Sequence, residues 1–540
     1  MQNPALSSTY AFPPVPQRNM ISGYTGSQSS LSKVRSWIDN CLANHGCCGT
    51  GDEVELPARV IDVSASPVKL INSGNMTGRY TSLSHRWGPS TIATTRATID
   101  DLKREIPWDF QHVILFTRQL GLDYIWIDSL YIIQDDNSDK DSQISQMDMI
   151  YTHAYLTVAA TRCQNGNEGL YTTINQAPIR HLPDDWTLNF GHYHHTPVRT
   201  KRFTSMQFGS PAISNAFGRH QNSRGTAIVY ARPFINHISH PEEYMKESVT
   251  FPLLQRAWVF QEWILSPRVL HFTNHELVWE CMDATKCECS YASHSWKQMF
   301  GDALRNQDSL KSWHLVVSIY HDLDLTYPLD RLPALSGLAK MFQPHKQSRY
   351  LAGLWEQSLE YDLLWYVQKS KPPLLEYCAP SWSWAAIEGG TVFFWATNTR
   401  YIKSHIRMIS ADTETAGSDT TGAVRSGFMQ LEGHLISFTG ANVYSKDELF
   451  LDNDNTELEC IQSGSRMFLL FMASDTKFGR HCFLVLRPIE DSRNRYARVG
   501  FFCREGLKPV PNEETRTECI KRLLTDWVVQ VSDPVELFIV

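Results

Sequence analysis

The sequence lacks the features that mark several large classes of protein. It contains no run of eighteen apolar residues, so no membrane-spanning helix is predicted. The first twenty residues hold four prolines and no apolar core behind a basic end, which is not the pattern of a secretory signal. The net charge is -7 and no dense tract of lysine and arginine occurs, so a nucleic-acid-binding surface is not predicted. Neither a membrane nor a nucleic acid is therefore an expected partner.

Several common catalytic motifs are also absent from the sequence. There is no Gly-x-Ser-x-Gly, no Gly-x-x-x-x-Gly-Lys and no His-Glu-x-x-His. These absences argue against a serine hydrolase built on a nucleophile elbow, a P-loop ATPase and a zinc protease of the zincin type.

The cysteines are few for the length of the chain and are scattered through it. Twelve cysteines in 540 residues are typical of reduced thiols in a cytosolic protein, so we expect a cytoplasmic location. Two groups resemble halves of a metal site: Cys41, His45, Cys47 and Cys48, and far downstream Cys281, Cys287 and Cys289. Neither group has the cysteine pair spaced Cys-x-x-Cys that is typical of zinc sites. Packed free thiols are therefore the favoured interpretation, and no metal is predicted.

The composition is that of a folded protein with more than one core. Of the residues, 42% are hydrophobic and 20% are charged, which suffices for two or three cores. Changes along the chain predict a flexible arm, a main domain with an irregular insertion, a helical aromatic-rich extension, a polar linker and a β-rich C-terminal module. The expected bounds are 1–30, 31–290 with the insertion at about 164–252, 291–412, about 413–421 and 422–540, respectively.

Residues 120–160 organise the predicted main domain. Tyr124 to Ile127 is aromatic and β-branched, as in a buried strand, and Gly121 before it ends the preceding helix. A polar turn, a helix and a second apolar strand over 155–160 follow, so we predict a β-α-β unit with a parallel sheet. Asp128 falls at the carboxyl end of the first strand, where open α/β sheets place their ligands.

A second motif, residues 80–88, also contains a tryptophan. It begins as an alternating strand and breaks at a Gly-Pro pair, so Ser84, His85 and Arg86 would lie at the end of that strand. Trp87 is either a wall of a site there or a core residue, and the sequence leaves both interpretations open.

A third motif, residues 254–265, has helical spacing. Its helix would carry four residues on one flank: Trp258, Gln261, Glu262 and Leu265. A carboxylate on such an apolar flank is costly to bury unless it is paired or functional. Arg256 and Arg268 are candidate partners, so a structural ion pair and a functional carboxylate both remain open.

Taken in order, residues 80–88, 124–160 and 256–281 resemble the heterokaryon-incompatibility (HET) domain of filamentous fungi. A Leu-Pro-x-Arg segment and an Ala-Pro-Ser-Trp-Ser-Trp run resemble the usual flanks of such proteins, which extends the resemblance over roughly residues 35–400. The chain departs from the family pattern at three positions. His85 and Arg86 replace an aromatic and a short apolar residue, and Tyr131 replaces a cysteine.

The resemblance implies a fold and a biological role. HET domains are associated with non-self recognition and regulated cell death in fungi, and they are suggested to be remote relatives of Toll/interleukin-receptor (TIR) domains. The implied fold is therefore α/β, with a TIR-like, mostly parallel sheet flanked by helices. Trp258-x-x-x-Glu262 is similar to the segment that carries the catalytic glutamate of nucleotide-cleaving TIR domains.

The resemblance also implies a reaction, cleavage of NAD at the nicotinamide N-glycosidic bond, with NAD as a substrate and no bound cofactor. Its transition state is an oxocarbenium-like ribose, which a buried carboxylate can stabilise. Glu262 is the implied catalytic carboxylate, and Asp128 assists it. Tryptophans would stack on a base and arginines would hold phosphate oxygens. The implied substrate-binding residues are Ser84, His85, Arg86, Trp87, Trp126, Gln134, Asp136, Arg256, Trp258 and Gln261.

Two functions of other classes remain open. In the first, the domain is a non-catalytic signalling module that binds a protein partner. In the second, the scaffold serves specialised metabolism and cyclises an apolar small molecule by shape and orientation. The substitutions at His85, Arg86 and Tyr131 and the aromatic content are compatible with the second alternative. The sequence indicates no oligomeric state.

Overall fold

The computed structural model describes residues 21–88, 91–104, 106, 110–165, 168–173, 251–289, 296–305, 309–368, 371–372, 374–396, 399–438, 448–453, 466–489, 494–505 and 533–540. Most of the predicted insertion, with its irregularly spaced His192, His194 and His195, lies outside these residues. A strand expected at 527–531 lies outside them as well. Among the described residues, no helix is both long and apolar enough to cross a membrane.

The first half of the chain forms a mixed α/β layer structure. Its strands are β1 (Val54–Glu55), β2 (Arg59–Asp62), β3 (Lys69–Asn72), β4 (Thr77–Gly78), β5 (Tyr80–Ser84), β6 (Tyr124–Ile127), β7 (Leu156–Ala159), β8 (Arg268–Phe272), β9 (Leu277–Cys281) and β10 (Thr285–Cys287). Its helices are α1 (Gln28–Asn44), α2 (Ile99–Leu102), α3 (Gln111–Gln119), α4 (Asp128–Tyr131), α5 (Asn137–Ile144), α6 (Met147–His153) and α7 (Ala257–Leu265).

Eight of these strands form one sheet in the order β10-β9-β8-β7-β5-β6-β2-β3. The four central strands, β8, β7, β5 and β6, are parallel to one another. The outer neighbours on both sides pair antiparallel. The expected mostly parallel sheet is therefore found only at the centre, because short hairpins extend both edges. The β-α-β unit predicted over residues 120–160 is confirmed, with β5 inserted between its two strands.

The alternation of side chains in β6 explains why this strand sits at the centre of the domain. Trp126 belongs to the hydrophobic core on one face of the sheet, whereas Ile125 and Ile127 belong to the core on the other face. Successive side chains of a strand point to opposite faces, so both faces of β6 are apolar and covered.

The second half of the chain adds a helical segment and a β-rich segment. The helices are α8 (Trp296–Arg305), α9 (Ser309–His321), α10 (Pro333–Lys346) and α11 (Leu359–Asp362). Two hairpins are formed by β11 (Tyr350–Leu351), β12 (Leu354–Trp355), β13 (Trp365–Val367) and β14 (Val392–Phe394). A nine-stranded sheet contains β15 (Ile402–Ser404), β16 (Arg407–Thr415), β17 (Val424–Gly433), β18 (Leu435–Phe438), β19 (Glu448–Leu451), β20 (Met467–Asp475), β21 (Arg480–Pro488), β22 (Arg495–Glu505) and β23 (Val535–Ile539).

Two sequence-based boundaries differ from the structure. The predicted linker near 413–421 is instead the end of β16 and the turn to β17, because the two strands pair as a long hairpin. Residues 350–394, expected to be mainly helical, contain the two short hairpins, whose buried tryptophans pack between the helices and the second sheet. One continuous core extends from Trp126 through Trp313 to Ile539, so the two halves share their packing.

Arg59 on β2 binds the segment that follows β6, and a variant tests how much these contacts contribute to stability. Its Nη2 donates to both carboxylate oxygens of Asp139 at 2.8 and 2.7 Å, and its Nε donates to the Tyr131 carbonyl at 2.8 Å. Both charged side chains are largely buried, at 13% and 14% exposure. We expect Arg59→Ala to lower the free energy of unfolding by about 3 kcal/mol, because Asp139 loses its buried partner.

Urea unfolding followed by tryptophan fluorescence measures this effect. Arg104→Ala is the matched control, because Arg104 pairs with Asp101 while both side chains are about four-fifths exposed (82% and 77%). The control should change stability by less than about 1 kcal/mol. Equal effects of the two substitutions would contradict a structural role for Arg59.

Candidate functional site

The candidate site lies where β5 and β6 end. The two strands are parallel neighbours and pair up to Leu83 and Ile127, so Ser84 and Asp128 lie at the same edge of the sheet. Helix α7 packs against β5 and α6 and brings Glu262 to this edge. The three tryptophan motifs of the sequence therefore meet at this edge.

Glu262 is the most unusual side chain of this site. It is 4% exposed, and Ser84 Oγ donates a hydrogen bond of 2.5 Å to its Oε2. Burial and the nearby charge of Asp128 raise the pKa of Glu262 to about 8. The Tyr151 hydroxyl lies near the same carboxyl group without meeting hydrogen-bond geometry. At neutral pH the unliganded site therefore holds Glu262 mainly as the neutral acid.

A series of buried hydroxyl groups sets the position of α7. Ser82 and Thr157 hydroxyls are 2.7 Å apart on β5 and β7, and Thr157 is 2.6 Å from the hydroxyl of Ser266. Ser266 also donates to the Glu262 carbonyl at 2.6 Å, at the last turn of α7. Each of these buried hydroxyl groups has a hydrogen-bond partner, so their burial does not destabilise the fold. Together they hold the helix above the ends of the strands.

Asp128 is more open than Glu262 and accepts two hydrogen bonds. Trp87 Nε1 donates to its Oδ2 at 2.8 Å, and the Ser129 amide donates to its Oδ1 at 2.7 Å. Its side chain is 17% exposed, and Trp87 is half-buried. Trp87 is thus positioned as a wall of the site by its bond to Asp128, and its ring is not wholly enclosed in the core.

His85 is buried beside Asp128 without a hydrogen-bond partner among the described residues. Its Nδ1 is 3.4 Å from Asp128 Oδ1, but neither ring nitrogen meets hydrogen-bond geometry. Burial lowers the pKa of His85 despite the opposing charge of Asp128, and Arg256 lowers it further. The imidazole is therefore neutral at pH 7 and can accept a proton.

Two half-buried arginines add positive charge to this edge. Arg256 stands at the N-terminus of α7, and its charge lowers the pKa of both Glu262 and His85. Neither Arg256 nor Arg86 forms an ion pair within the part of the chain that the structure describes. Arg268 points elsewhere and donates to the Tyr155 and Cys48 carbonyls. The alternative in which an arginine simply pairs Glu262 is therefore wrong for the described residues.

Five predicted substrate-binding residues lie away from Glu262. Trp126 is fully buried in the core beside Tyr131 and Tyr151, so it cannot stack on a ligand. The other four make structural contacts elsewhere: Trp258 to Asp330, Gln261 to the Gly337 amide, Gln134 to the Ile132 carbonyl, and Asp136 to Arg96 and the start of α5.

The residues predicted to share one flank of α7 point in different directions, and helix geometry explains why. Neighbouring residues on a helix point about 100° apart, so Gln261 turns toward α10 while Glu262 faces the sheet. Trp258 lies on the side of Asp330.

Tyr151 is the functional candidate that the sequence did not reveal. Its helical spacing in α6 marks it only as an apolar-face residue, and it is fully buried. Burial and the charges of Glu262 and Asp128 raise the pKa of Tyr151 well above its ordinary value. It therefore stays neutral and presents a hydroxyl to the Glu262 carboxyl. A polar atom on an otherwise apolar helix face was the one available signal.

Comparison with known families gives a match that covers the segment carrying this site. Residues 80–262 match the family described as heterokaryon incompatibility protein (HET), a match that begins with β5 and ends at Glu262. It therefore includes Ser84, Asp128, Tyr151 and Arg256, which lie near the Glu262 carboxyl group. No curated protein and no solved structure matches the chain. The chain therefore contains a heterokaryon incompatibility (HET) domain at residues 80–262.

Proposed function

We propose that the HET domain cleaves NAD at the nicotinamide N-glycosidic bond, and that this activity serves non-self recognition and regulated cell death. The observation that carries the proposal is the buried Glu262 carboxyl group, hydrogen-bonded to Ser84 and flanked by Asp128 and Arg256 at the ends of parallel strands. The parallel order β6-β5-β7-β8 supports a remote relationship to TIR domains. That relationship is the reason for proposing NAD, and not another nucleotide, as the substrate.

The reaction moves positive charge from the nicotinamide ring to the ribose. The bond between ribose C1′ and the ring nitrogen breaks, both electrons leave with neutral nicotinamide, and water adds to C1′ with loss of a proton. A carboxylate beside C1′ stabilises the oxocarbenium-like transition state. With its pKa at about 8, Glu262 is mainly protonated at pH 7, but the positively charged nicotinamide ring of NAD would favour its ionised form. Substrate binding would thus deprotonate Glu262, and the resulting carboxylate would stabilise the positively charged transition state.

Neighbouring residues supply the other functions. The neutral His85, with both ring nitrogens unpartnered among the described residues, can accept the proton that the attacking water loses. Arg256 and Arg86 offer guanidinium groups for phosphate oxygens. Trp87 offers an aromatic face for a base, held in place by its bond to Asp128. Trp126 has no such role, because it is enclosed in the core.

Replacing Arg256 by methionine tests the assignment of the phosphate contact. We expect the KM for NAD to rise at least about tenfold, since one charge-assisted contact is worth about 1.5–3 kcal/mol. Loss of the positive charge also removes an effect that lowers the pKa of Glu262, so the pH profile should shift to higher pH. Initial rates of nicotinamide release across NAD concentrations and pH values measure both effects.

The control for Arg256 is Arg96→Met, which removes an exposed arginine that pairs with Asp136 at the start of α5. It should leave KM within about twofold of wild type, as expected for an exposed ion pair. An unchanged KM in the Arg256 variant would mean that this guanidinium does not contact the substrate.

The proposed function itself is tested by nicotinamide release from the purified full-length chain, both alone and when clustered through a fused oligomeriser. The expected result is release under at least one condition, with toxicity in a host cell that depends on the same residues. Absence of release under both conditions would reject the catalytic proposal and favour a non-catalytic module that binds a protein partner.

A further inference from the structure

Three cysteines and one histidine, from two segments that are far apart in sequence, converge where α1 packs against β9. Cys41 lies on α1, His45 follows that helix, Cys48 lies in the next turn, and Cys281 ends β9. One ligand atom from each lies within 4.8 Å of all the others, and His45 Nδ1 is 3.2 Å from Cys281 Sγ. The three cysteines are buried, with exposures of 0%, 2% and 0%.

We propose that Cys41, His45, Cys48 and Cys281 bind one Zn²⁺ ion. Zinc prefers four ligands in a tetrahedron, with Zn–S near about 2.3 Å and Zn–N near about 2.0 Å. Those bond lengths place sulfur atoms about 3.8 Å apart. This spacing is compatible with four ligand atoms that all lie within 4.8 Å of one another. The three thiolates and one imidazole form the Cys₃His set found in structural zinc sites.

The surroundings of the four residues suit a metal. His45 Nε2 lies 3.6 Å from Asp283 Oδ2, so the carboxylate can orient the ring and leave Nδ1 for the ion. Arg268 Nη1 donates to the Cys48 carbonyl at 2.8 Å and places a buried positive charge beside the sulfurs. Three thiolates with one Zn²⁺ carry a net negative charge, which this guanidinium offsets.

The position of the site indicates a structural role. Four protein ligands leave no open coordination position for a substrate or water. The first three ligands precede the matched HET segment, residues 80–262, and Cys281 follows it. An ion there would tie α1 to β9 and close a loop of more than two hundred residues around that segment. Such closure stabilises a fold mainly by restricting the unfolded chain.

A second group, Glu276, Cys287 and Cys289, is a poorer candidate. It offers three ligand atoms among the described residues, and Glu276 Oε2 already accepts the Cys289 amide at 2.8 Å. Its two sulfurs are 3.0 Å apart, closer than two zinc-bound thiolates. This group serves as an internal comparison for the first.

The test measures zinc per chain in the full-length protein, expressed with added zinc and purified without chelator. Wild type and Cys47→Ser should each hold about one zinc, because Cys47 lies in the same turn but outside the four. Cys41→Ser and Cys281→Ser should lose most of it. Cys287→Ser should retain it.

A second measurement needs no variant, in case the substitutions prevent folding. X-ray absorption at the zinc edge of the wild-type protein should show three sulfurs at about 2.3 Å and one nitrogen at about 2.0 Å. The proposal is overturned if wild type holds no zinc and takes up none when titrated with it. It is also overturned if the bound zinc has no sulfur ligands, if Cys287→Ser loses the zinc while Cys281→Ser keeps it, or if Cys41, Cys48 or Cys281 is found in a disulfide.

Discussion

Glutamine in place of Glu262 is expected to abolish the proposed NAD cleavage while making the folded protein more stable at neutral and alkaline pH. The substitution keeps an acceptor for the Ser84 hydroxyl but removes the proposed catalytic carboxyl group. Loss of one such acid-base or electrostatic group typically lowers kcat by about 10²–10⁴-fold. Opposite effects on activity and stability distinguish a functional carboxyl from a structural one.

The stability effect follows from the raised pKa of Glu262. That pKa is about 8 in the folded protein, mainly because of burial and then Asp128, against an ordinary value of 4.5. Below pH 4.5 both folded and unfolded states hold the proton, and wild type and Glu262→Gln should differ little. Between pH 4.5 and 8 only the unfolded state releases it, so wild type loses about 1.4 kcal/mol per pH unit. Above pH 8 the difference should level off at several kcal/mol.

Unfolding midpoints at several pH values between 4 and 9, together with nicotinamide release, measure both halves of this prediction. Asp128→Asn is the informative companion, because it removes the charge that raises the pKa of Glu262 and keeps an acceptor for Trp87. In Asp128→Asn, the free energy of unfolding should begin to fall at the same pH as in wild type. The fall should end at a lower pH, because the pKa of Glu262 is lower in this variant. Retained turnover in Glu262→Gln would end the catalytic assignment, and a pH-independent stability difference would mean that Glu262 is ionised in the empty site.

The sequence predicted the elements that bear the site better than it predicted side-chain directions. Apolar runs located β5, β6 and β7, and polar residues at strand ends located Ser84 and Asp128. Which of Gln261 and Glu262 faces the sheet depends on how α7 is rotated about its own axis. That rotation is set by packing and by the Ser266 bond, neither of which has a local sequence signal.

The cluster of Cys41, His45, Cys48 and Cys281 also could not be predicted from sequence spacing, because Cys281 lies far from the other three in the chain. Cys41, His45 and Cys48 are close enough in sequence to suggest half of a site, but the position of Cys281 depends on the strand order of the whole sheet. Because β9 is reached only after the chain has passed through β5, β6, β7 and β8, no spacing rule could select Cys281 over Cys287. From the sequence alone, packed thiols were therefore the favoured interpretation.

Arg498 on β22 is expected to be among the most costly arginines to remove from this protein. Its side chain is 0% exposed and pairs with Asp452, itself 4% exposed, at 3.1 Å. It also donates to the Leu363 and Trp365 carbonyls at 2.8 and 2.6 Å, with its guanidinium carbon 3.3 Å from the centre of the Trp365 ring. One buried cation thus joins the second sheet to the segment that precedes it.

Arg498→Met should lower the free energy of unfolding by about 3–5 kcal/mol, because it leaves a buried carboxyl group and two carbonyls without their donor. Burial already raises the pKa of Asp452, and without Arg498 that carboxyl should take up a proton at still higher pH. The cost should therefore be smaller in mildly acidic buffer than at pH 8. Urea unfolding at the two pH values measures this difference.

Two further variants test whether the loss of stability in Arg498→Met comes from the unpaired Asp452 carboxylate. Arg407→Met removes an exposed partner of Glu432, at 65% and 30% exposure, and should cost less than about 1 kcal/mol. The double variant Arg498→Met with Asp452→Leu should recover part of the loss, because replacing both members of a buried pair by apolar groups removes the unpaired charge. Recovery will be incomplete, since the Leu363 and Trp365 carbonyls still lack a donor. If the double variant is no more stable than Arg498→Met alone, the loss arises from those carbonyls and the Trp365 contact, and Asp452 is not its source.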